Sequence, residues 1–192
     1  IAEETSHVTG LPLSEGGSGD PSGMTGFGVY QGMRACAKAV WGTESMAGRV
    51  VAIQGFGHTA TALAHELLNN EEGITLLVSD INKSAISRAK EHKRIQVIDS
   101  QDIYSVPCDI FAPCALGGIL NNETIPQLKC RIVCGSANNQ LLDEEHGEIL
   151  EKHDILYAPD YIVNAGGVIN ISCEVNSNYL EASAKEKTSR IY

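Results

Sequence analysis

Short apolar runs alternating with longer polar-faced segments predict a doubly wound α/β domain, with a mostly parallel sheet and helices on both faces. Three observations carry this. The apolar runs, at 50–53, 74–78, 96–98, 109–112, 132–134 and 155–157, are strand-length and nearly continuous, as strands buried on both faces are. The segments between them, at 59–69, 83–93, 123–128, 143–152 and 165–175, have helical length and composition. Finally, 192 residues with 43% hydrophobic and 20% charged side chains suit one domain. A domain of that size buries about 70% of the surface its unfolded chain exposes.

The first element is a glycine-rich stretch over 10–28, followed by a helix over 29–41 that holds Met33, Arg34, Ala35, Ala37 and Lys38. Ser22 or Thr25 is positioned to cap it, since a side-chain oxygen there accepts an unbonded N–H of the first turn. The alternating strands and helices come next, without internal repeats. The tail from Asn176 to Tyr192 is polar and, with Ala182, Ala184 and Lys185, reads as a helix with little to bury. The expected division is a nucleotide-binding domain over 1–175, its first 24 residues a glycine-rich opening segment, and a polar helical tail over 176–192 leading toward a region absent here.

Composition narrows the function classes. The chain carries 24 acidic against 14 basic side chains, a formal charge of −10, with no basic cluster to neutralise phosphates, so nucleic acid is not an expected partner. No apolar stretch approaches the ~20 residues of a membrane helix. The start Ile1-Ala2-Glu3-Glu4-Thr5 lacks the order of a signal peptide, so a cytoplasmic setting is expected, with no membrane partner. The six cysteines, Cys36, Cys108, Cys114, Cys130, Cys134 and Cys173, form no C-x-x-C cluster and read as small buried hydrophobes, with a disulfide or metal role as the alternative. No metal site is expected: His65-Glu66 is followed by Asn69 where a zinc-protease helix needs a second histidine, and His146 and His153 lie seven apart.

The strongest local signal is Val50-Val51-Ala52-Ile53-Gln54-Gly55-Phe56-Gly57-His58-Thr59-Ala60, a strand running into a Gly-x-Gly-x-x-Ala turn and a helix. Gly55 permits the tight turn, Gly57 lets the backbone approach a pyrophosphate, and Ala60 is small enough for close packing of helix on sheet. The helix N-terminus supplies free N–H groups for the anion. Asp80, twenty positions beyond Ala60, ends the second apolar run. Its carboxylate would accept from an adenosine ribose and repel a 2′-phosphate, which favours NAD. The alternative is a glycine-rich turn followed by a solvated acid. Arg88 reads as a solvent-face residue of the next helix. Together these features make the predicted fold Rossmann-like.

With this turn placed, the chain resembles the nucleotide-binding half of the glutamate, leucine, phenylalanine and valine dehydrogenase family, of the leucine type. The matching stretches span 3–5, 8–10, 19–22, 28–33, 80–83, 108–117, 135–140 and 157–170, among them Gly135-Ser136-Ala137-Asn138-Asn139-Gln140 and Asn164-Ala165-Gly166-Gly167. The resemblance implies that Gly55, Phe56, Gly57, His58, Thr59 and Ala60 hold the pyrophosphate, and Asp80 with Asn82 the adenosine ribose. Cys114 and Ala115 would line the cofactor cleft; no base stands beside Cys114 in sequence, so it reads as lining and not as a nucleophile. Ala137, Asn138 and Asn139 would meet the nicotinamide or its ribose. Thr25 matches a threonine that bonds the nicotinamide carboxamide, and Asn164 is positioned likewise, though each also reads as an ordinary helix cap. Val168 and Ile171, three apart on one helix face, match positions that shape an aliphatic substrate pocket; plain core is the other reading.

Two departures qualify the match. The family commonly has Asn-Val after the second glycine where this chain has His58-Thr59. Backbone amides still serve phosphate, one asparagine contact is lost, and His58 adds a pH-dependent charge. The family's catalytic lysine, substrate-carboxylate lysine and acid–base aspartate lie in a separate N-terminal domain that would precede Ile1. Lys38, Lys83, Lys90 and Lys93 read as solvent-facing. The implied activity of the intact protein is NAD-dependent oxidative deamination of branched-chain L-amino acids (leucine, valine, isoleucine) to 2-oxo acids and ammonia, in a homo-oligomer. This chain would supply no catalytic residue and be inactive alone. The alternatives are a non-catalytic NAD-binding sensor or scaffold, and a phenylalanine or glutamate dehydrogenase of the same fold.

Overall fold

The computed structural model describes residues 4–5, 8–175 and 179–192. Residues 1–3, with the Glu3 of the first matching stretch, and 176–178, where the tail was expected to start, lie outside the described residues. Each expected apolar run forms a strand: β1 Val50–Gln54, β2 Thr75–Ser79, β3 Ile95–Val97, β4 Ile110–Pro113, β5 Ile132–Val133 and β6 Leu156–Tyr157. The sheet order is β3-β2-β1-β4-β5-β6 and all five pairings are parallel, so the expected mostly parallel sheet is parallel throughout. Val51 sits opposite Leu76 on one side and Ile110 on the other.

Alternation along the strands divides the core in two. Val51, Ile53, Leu76, Val78, Ile110, Ala112 and Ile132 pack against Met33 of α1 (Ser22–Trp41), Leu63 and Leu67 of α2 (His58–Asn70) and Ala85 of α3 (Lys83–Ala89). Ala52, Leu77, Phe111 and Val133 pack on the other face against Ile103, Ile125 and Leu150. Leu150 belongs to α4 (Glu145–Lys152). Helices therefore cover both faces, the Rossmann-like arrangement expected. Among the described residues no helix is long and apolar enough to cross a membrane.

The boundaries differ where tertiary contacts overrule local propensity. α1 starts at Ser22, seven residues before the expected helix, and runs through Gly23, Gly26, Gly28 and Gly32. Glycine weakens an isolated helix, but here it permits contact. A Cβ at Gly26 would lie 2.6 Å from the Leu63 backbone nitrogen, and one at Gly28 3.0 Å from the Val163 carbonyl oxygen. Neither Ser22 nor Thr25 caps α1. Asp20 Oδ1 accepts from the Ser22 N–H at 2.9 Å, and the Thr25 hydroxyl donates to the Pro21 carbonyl at 3.0 Å from inside the first turn. The segment at 123–128 shrinks to a 3₁₀ turn, Ile125–Gln127, with Pro126 inside it. The segment at 165–175 shortens to one helix, α6 Gly166–Ser172, and a separate short helix, α5 Asp160–Val163, precedes it.

The tail is helical, as α7 Glu181–Thr188 and a final 3₁₀ turn Ser189–Ile191. It was expected to have little to bury, yet Ala184 and Thr188 are enclosed and Ile191 packs on the first core. The glycine-rich opening segment is anchored by one carboxylate. Glu174 accepts from the N–H groups of Gly10 (2.7 Å), Leu11 (3.2 Å) and Ser18 (3.1 Å) and from the Ser18 hydroxyl (2.7 Å). Burial opposes its ionisation, but the donated hydrogen bonds outweigh it and bring the carboxyl down to about 2 from an ordinary 4.5. Asn170 Nδ2 donates to the Ser18 carbonyl at 3.2 Å, closing the same junction.

Two predictions follow from these packings. A Cβ at Gly23 meets nothing within 4 Å, so Gly23→Ala should stabilise by up to about 1 kcal/mol through helix propensity alone. Gly26→Ala should lower the thermal midpoint, because its methyl collides with α2; denaturation curves of the two variants should move in opposite directions. For Glu174 the folded value lies below the unfolded one, so its stabilisation is full above about pH 4.5 and fades as pH falls toward 2. The stability gap between the native protein and Glu174→Gln should therefore narrow on acidification, and a constant gap would contradict this account.

Candidate nucleotide-binding cleft

The strand order reverses between β1 and β4. From β1 the chain moves outward through β2 to β3, then returns to set β4 on the other side of β1. Open α/β sheets leave a crevice at the carboxyl ends of the strands at such a reversal. Here the two loops above it touch. Gly55 leaves β1 with φ +89°, and a Cβ there would lie 2.7 Å from Ala115 Cβ and 3.0 Å from its backbone. The Cys114 N–H donates to the Gln54 carbonyl at 2.8 Å, fixing the second loop to the first strand.

Gly57 is glycine for another reason. Its backbone is extended (φ −76°, ψ −167°), open to any residue, and an added Cβ would meet nothing within 4 Å. No side chain caps α2, so the N–H groups of His58, Thr59 and Ala60 have no intrahelical acceptor and the positive end of the helix is free to meet an anion. Ala60 is buried where α2 meets the sheet, as its small size requires. Phe56 lends the site neither side chain nor donor: its ring is 3% exposed in the core and its N–H donates to Asp80. The His58 imidazole is exposed, its Nδ1 3.5 Å from the Asp20 carboxylate.

Asp80, just past the end of β2, accepts from the Phe56 N–H with Oδ2 (2.6 Å) and from the Asn82 N–H with Oδ1 (2.7 Å). A carboxylate has about four acceptor sites, so both oxygens keep capacity for a ligand hydroxyl. Asn82 Oδ1 caps α3 by accepting from the Ser84 N–H at 2.9 Å. Arg88 is exposed on α3, as expected, with Nη1 3.3 Å from the Ser84 hydroxyl.

The far wall is the loop after β5. A Cβ at Gly117 would lie 2.7 Å from the Asn138 carbonyl, and the Gly118 N–H donates to the Asn139 carbonyl at 2.7 Å. Ala137 is buried, its N–H donating to Pro113 O at 3.0 Å, while Asn138 and Asn139 are exposed, Asn139 with φ +51°. Asn138 Oδ1 accepts from Asn164 Nδ2 at 2.7 Å. Thr25 arrives from α1: a Cβ at Gly167 would lie 2.6 Å from its hydroxyl oxygen. Burial pushes the Cys114 thiol up, against hydrogen bonds with Ser136, so it stays protonated and lines the wall. Val168 is 72% exposed, which removes it from the core, and Ile171 is half-buried on the same helix.

Contacts thus run from Asp80 through the glycine turn to Ala115, the asparagine loop and Asn164, with Thr25 beside α6. Sequence reasoning gave no role to Gln140 and Asp160, which hold that loop. Gln140 is fully buried; its N–H donates to Asp160 Oδ2 (2.9 Å), and its Nε2 donates to the carbonyls of Gly135 (2.8 Å) and Ala137 (2.9 Å). Asp160 Oδ1 accepts from the Tyr161 N–H at 2.7 Å. No local pattern in the sequence announced either residue.

Comparison with known proteins identifies the family and the fold. The family model "Glutamate/Leucine/Phenylalanine/Valine dehydrogenase" matches residues 16–86 and 74–190. The leucine dehydrogenase of Geobacillus stearothermophilus is 50% identical over the whole chain, which covers 52% of that protein. The phenylalanine dehydrogenase of Caldalkalibacillus thermarum is 45% identical over 99% of the chain and 52% of its own length. The crystal structure of L-tryptophan dehydrogenase from Nostoc punctiforme superposes with a TM-score of 0.86 at 40% identity, covering 91% of this chain and 52% of that one. The chain spans about half the length of these relatives. Because the family model runs through the glycine turn, the acid after β2 and the asparagine loop alike, the chain belongs to the glutamate/leucine/phenylalanine/valine dehydrogenase family.

Proposed function

We propose that this chain is the NAD-binding half of a leucine-type amino-acid dehydrogenase, which oxidises branched-chain L-amino acids to 2-oxo acids and ammonia. The observation that carries the reading is the uncapped first turn of α2 beside open space at Gly57, tied through Phe56 to the Asp80 carboxylate. Those groups fit a dinucleotide: N–H groups for the pyrophosphate, and an acid with spare acceptor sites for a ribose hydroxyl. Asn138, Asn139, Asn164 and Thr25 would hold the nicotinamide end against the wall formed by Cys114 and Ala115. When bound, NAD supplies an acceptor for the Cα hydride of the amino acid.

Every task of this chain is then positional. The first-turn amides of α2 fix one end of the cofactor, the asparagine loop fixes the other, and Val168 with Ile171 offers an aliphatic surface to a branched side chain. Substrate-carboxylate binding and proton transfer fall to lysine and aspartate residues in the half of the family's length that this chain does not cover. Lys38, Lys83, Lys90 and Lys93 are all exposed, which suits that division. A cytoplasmic homo-oligomer belongs to the same reading and rests on the family resemblance.

Calorimetry tests the cofactor. NAD should bind about tenfold or more tighter than NADP, roughly 1.4 kcal/mol, and Asp80→Ser should narrow that gap; equal affinities for the unsubstituted protein would remove the role given to Asp80. Gly57→Val should weaken NAD binding about a hundredfold, roughly 2.7 kcal/mol, without altering the circular dichroism, since a Cβ there has no protein atom within 4 Å. Gly55→Val should perturb the fold itself. Undiminished binding by Gly57→Val would mean that the pyrophosphate lies elsewhere.

A further inference from the structure

The six thiols are not scattered. Cys36 of α1 and Cys134 beyond β5 lie close enough to shift one another's ionisation, as do Cys108 and Cys130. Cys114 lies against Ser136, and Cys173 has the Lys187 ammonium 3.6 Å from its sulfur. The Cys108 and Cys130 pair has the plainest geometry. The register that sets Ile110 opposite Ile132 also sets Pro107 opposite Lys129, at the strands' entering ends. Cys108 is therefore opposite Cys130, and its N–H donates to the Lys129 carbonyl at 3.4 Å. Neighbouring strands lie about 4.8 Å apart, within the range of about 4.4–6.8 Å between Cα atoms that disulfides span. Both side chains belong to the second core, at the end of the strands opposite the cleft, and nothing in the proposed function uses them.

Access separates this pair from the others. Cys130 is 6% exposed but Cys108 is only half-buried, so Cys108 is the more accessible member of the pair. Cys134 is completely enclosed, with Cys36 nearly so. Cys173 is reachable but has lysine beside it and no thiol.

We infer that Cys108 and Cys130 form a dithiol modification site that a peroxide converts to an intrachain disulfide, ahead of disulfide formation by any other thiols of the chain. The Cys108 sulfur attacks a peroxide oxygen, the O–O bond breaks, and one water leaves with a sulfenic acid formed on Cys108. The Cys130 sulfur then attacks Cys108 Sγ; the S–S bond forms, the S–O bond breaks, and a second water leaves. Two thiols give up two electrons and two protons, and hydrogen peroxide becomes two waters. The bond closes the segment that contains β4 and the loop of Cys114 and Ala115 at its base.

The test is equimolar hydrogen peroxide on the protein, alkylation of remaining thiols, and mass spectrometry of an unreduced tryptic digest. Cleavage after Lys129 and Arg131 releases Cys130-Arg131. The expected product is this dipeptide linked to the peptide carrying Cys108, two hydrogens lighter than the sum of the reduced peptides. That peptide also carries Cys114, so Cys114→Ser should keep the linkage and Cys108→Ser should abolish it. Full alkylation of Cys130 after peroxide, a linkage that survives Cys108→Ser, or earlier formation of a Cys36 to Cys134 bond would each overturn the inference.

Discussion

The close approach of Gly55 to Ala115 is the constraint on which the rest of the cleft depends. A parallel sheet whose order reverses must bring the loops after two non-consecutive strands together, and here they meet so closely that the turn has no room for a side chain beside the Ala115 methyl. From that contact the remaining positions follow in sequence. Cys114 is held to Gln54, Ala137 to Pro113, and Gly118 to Asn139, each by a backbone hydrogen bond from a loop to a neighbouring strand end or loop. The edge of the sheet is therefore a row of mutually braced turns.

The same reliance on close approach governs α1. Its glycines look, in one dimension, like a loop, because local propensity is what a sequence window reports. In three dimensions Gly26 faces the backbone of α2, while Gly28 and Gly32 face Val163 of α5. The helix gives up intrinsic stability and gains contact with two neighbours. The end of the chain is similar: α7 has little apolar surface, yet Ala184, Thr188 and Ile191 lie against the body made by α1 and α6.

Much of the fold was legible because buried parallel strands leave continuous apolar runs, and all six were readable at or within a residue or two of their ends. The glycine turn and Asp80 were also legible, since each needs a particular residue type at a particular distance from a strand, whereas the asparagine loop was picked out only through the family resemblance. What escaped was second-order support. Gln140 and Asp160 act through one another across twenty positions, and no local pattern announces a buried amide that bonds its own loop. The capping of α1 escaped because the helix starts earlier than its glycines suggest, which puts Ser22 and Thr25 inside it and leaves Asp20 to accept from the Ser22 N–H.

The bond from the Phe56 N–H to Asp80 has a mechanical meaning. It joins the turn after β1 to the end of β2 before any ligand arrives, and Asn82 extends that joint into the start of α3. A dinucleotide bound as proposed would meet its ribose and pyrophosphate partners as one rigid bracket, already assembled, so little ordering would be left for the binding step. Conversely, strain at either partner would be felt by the other, and the two halves of the bracket would loosen together.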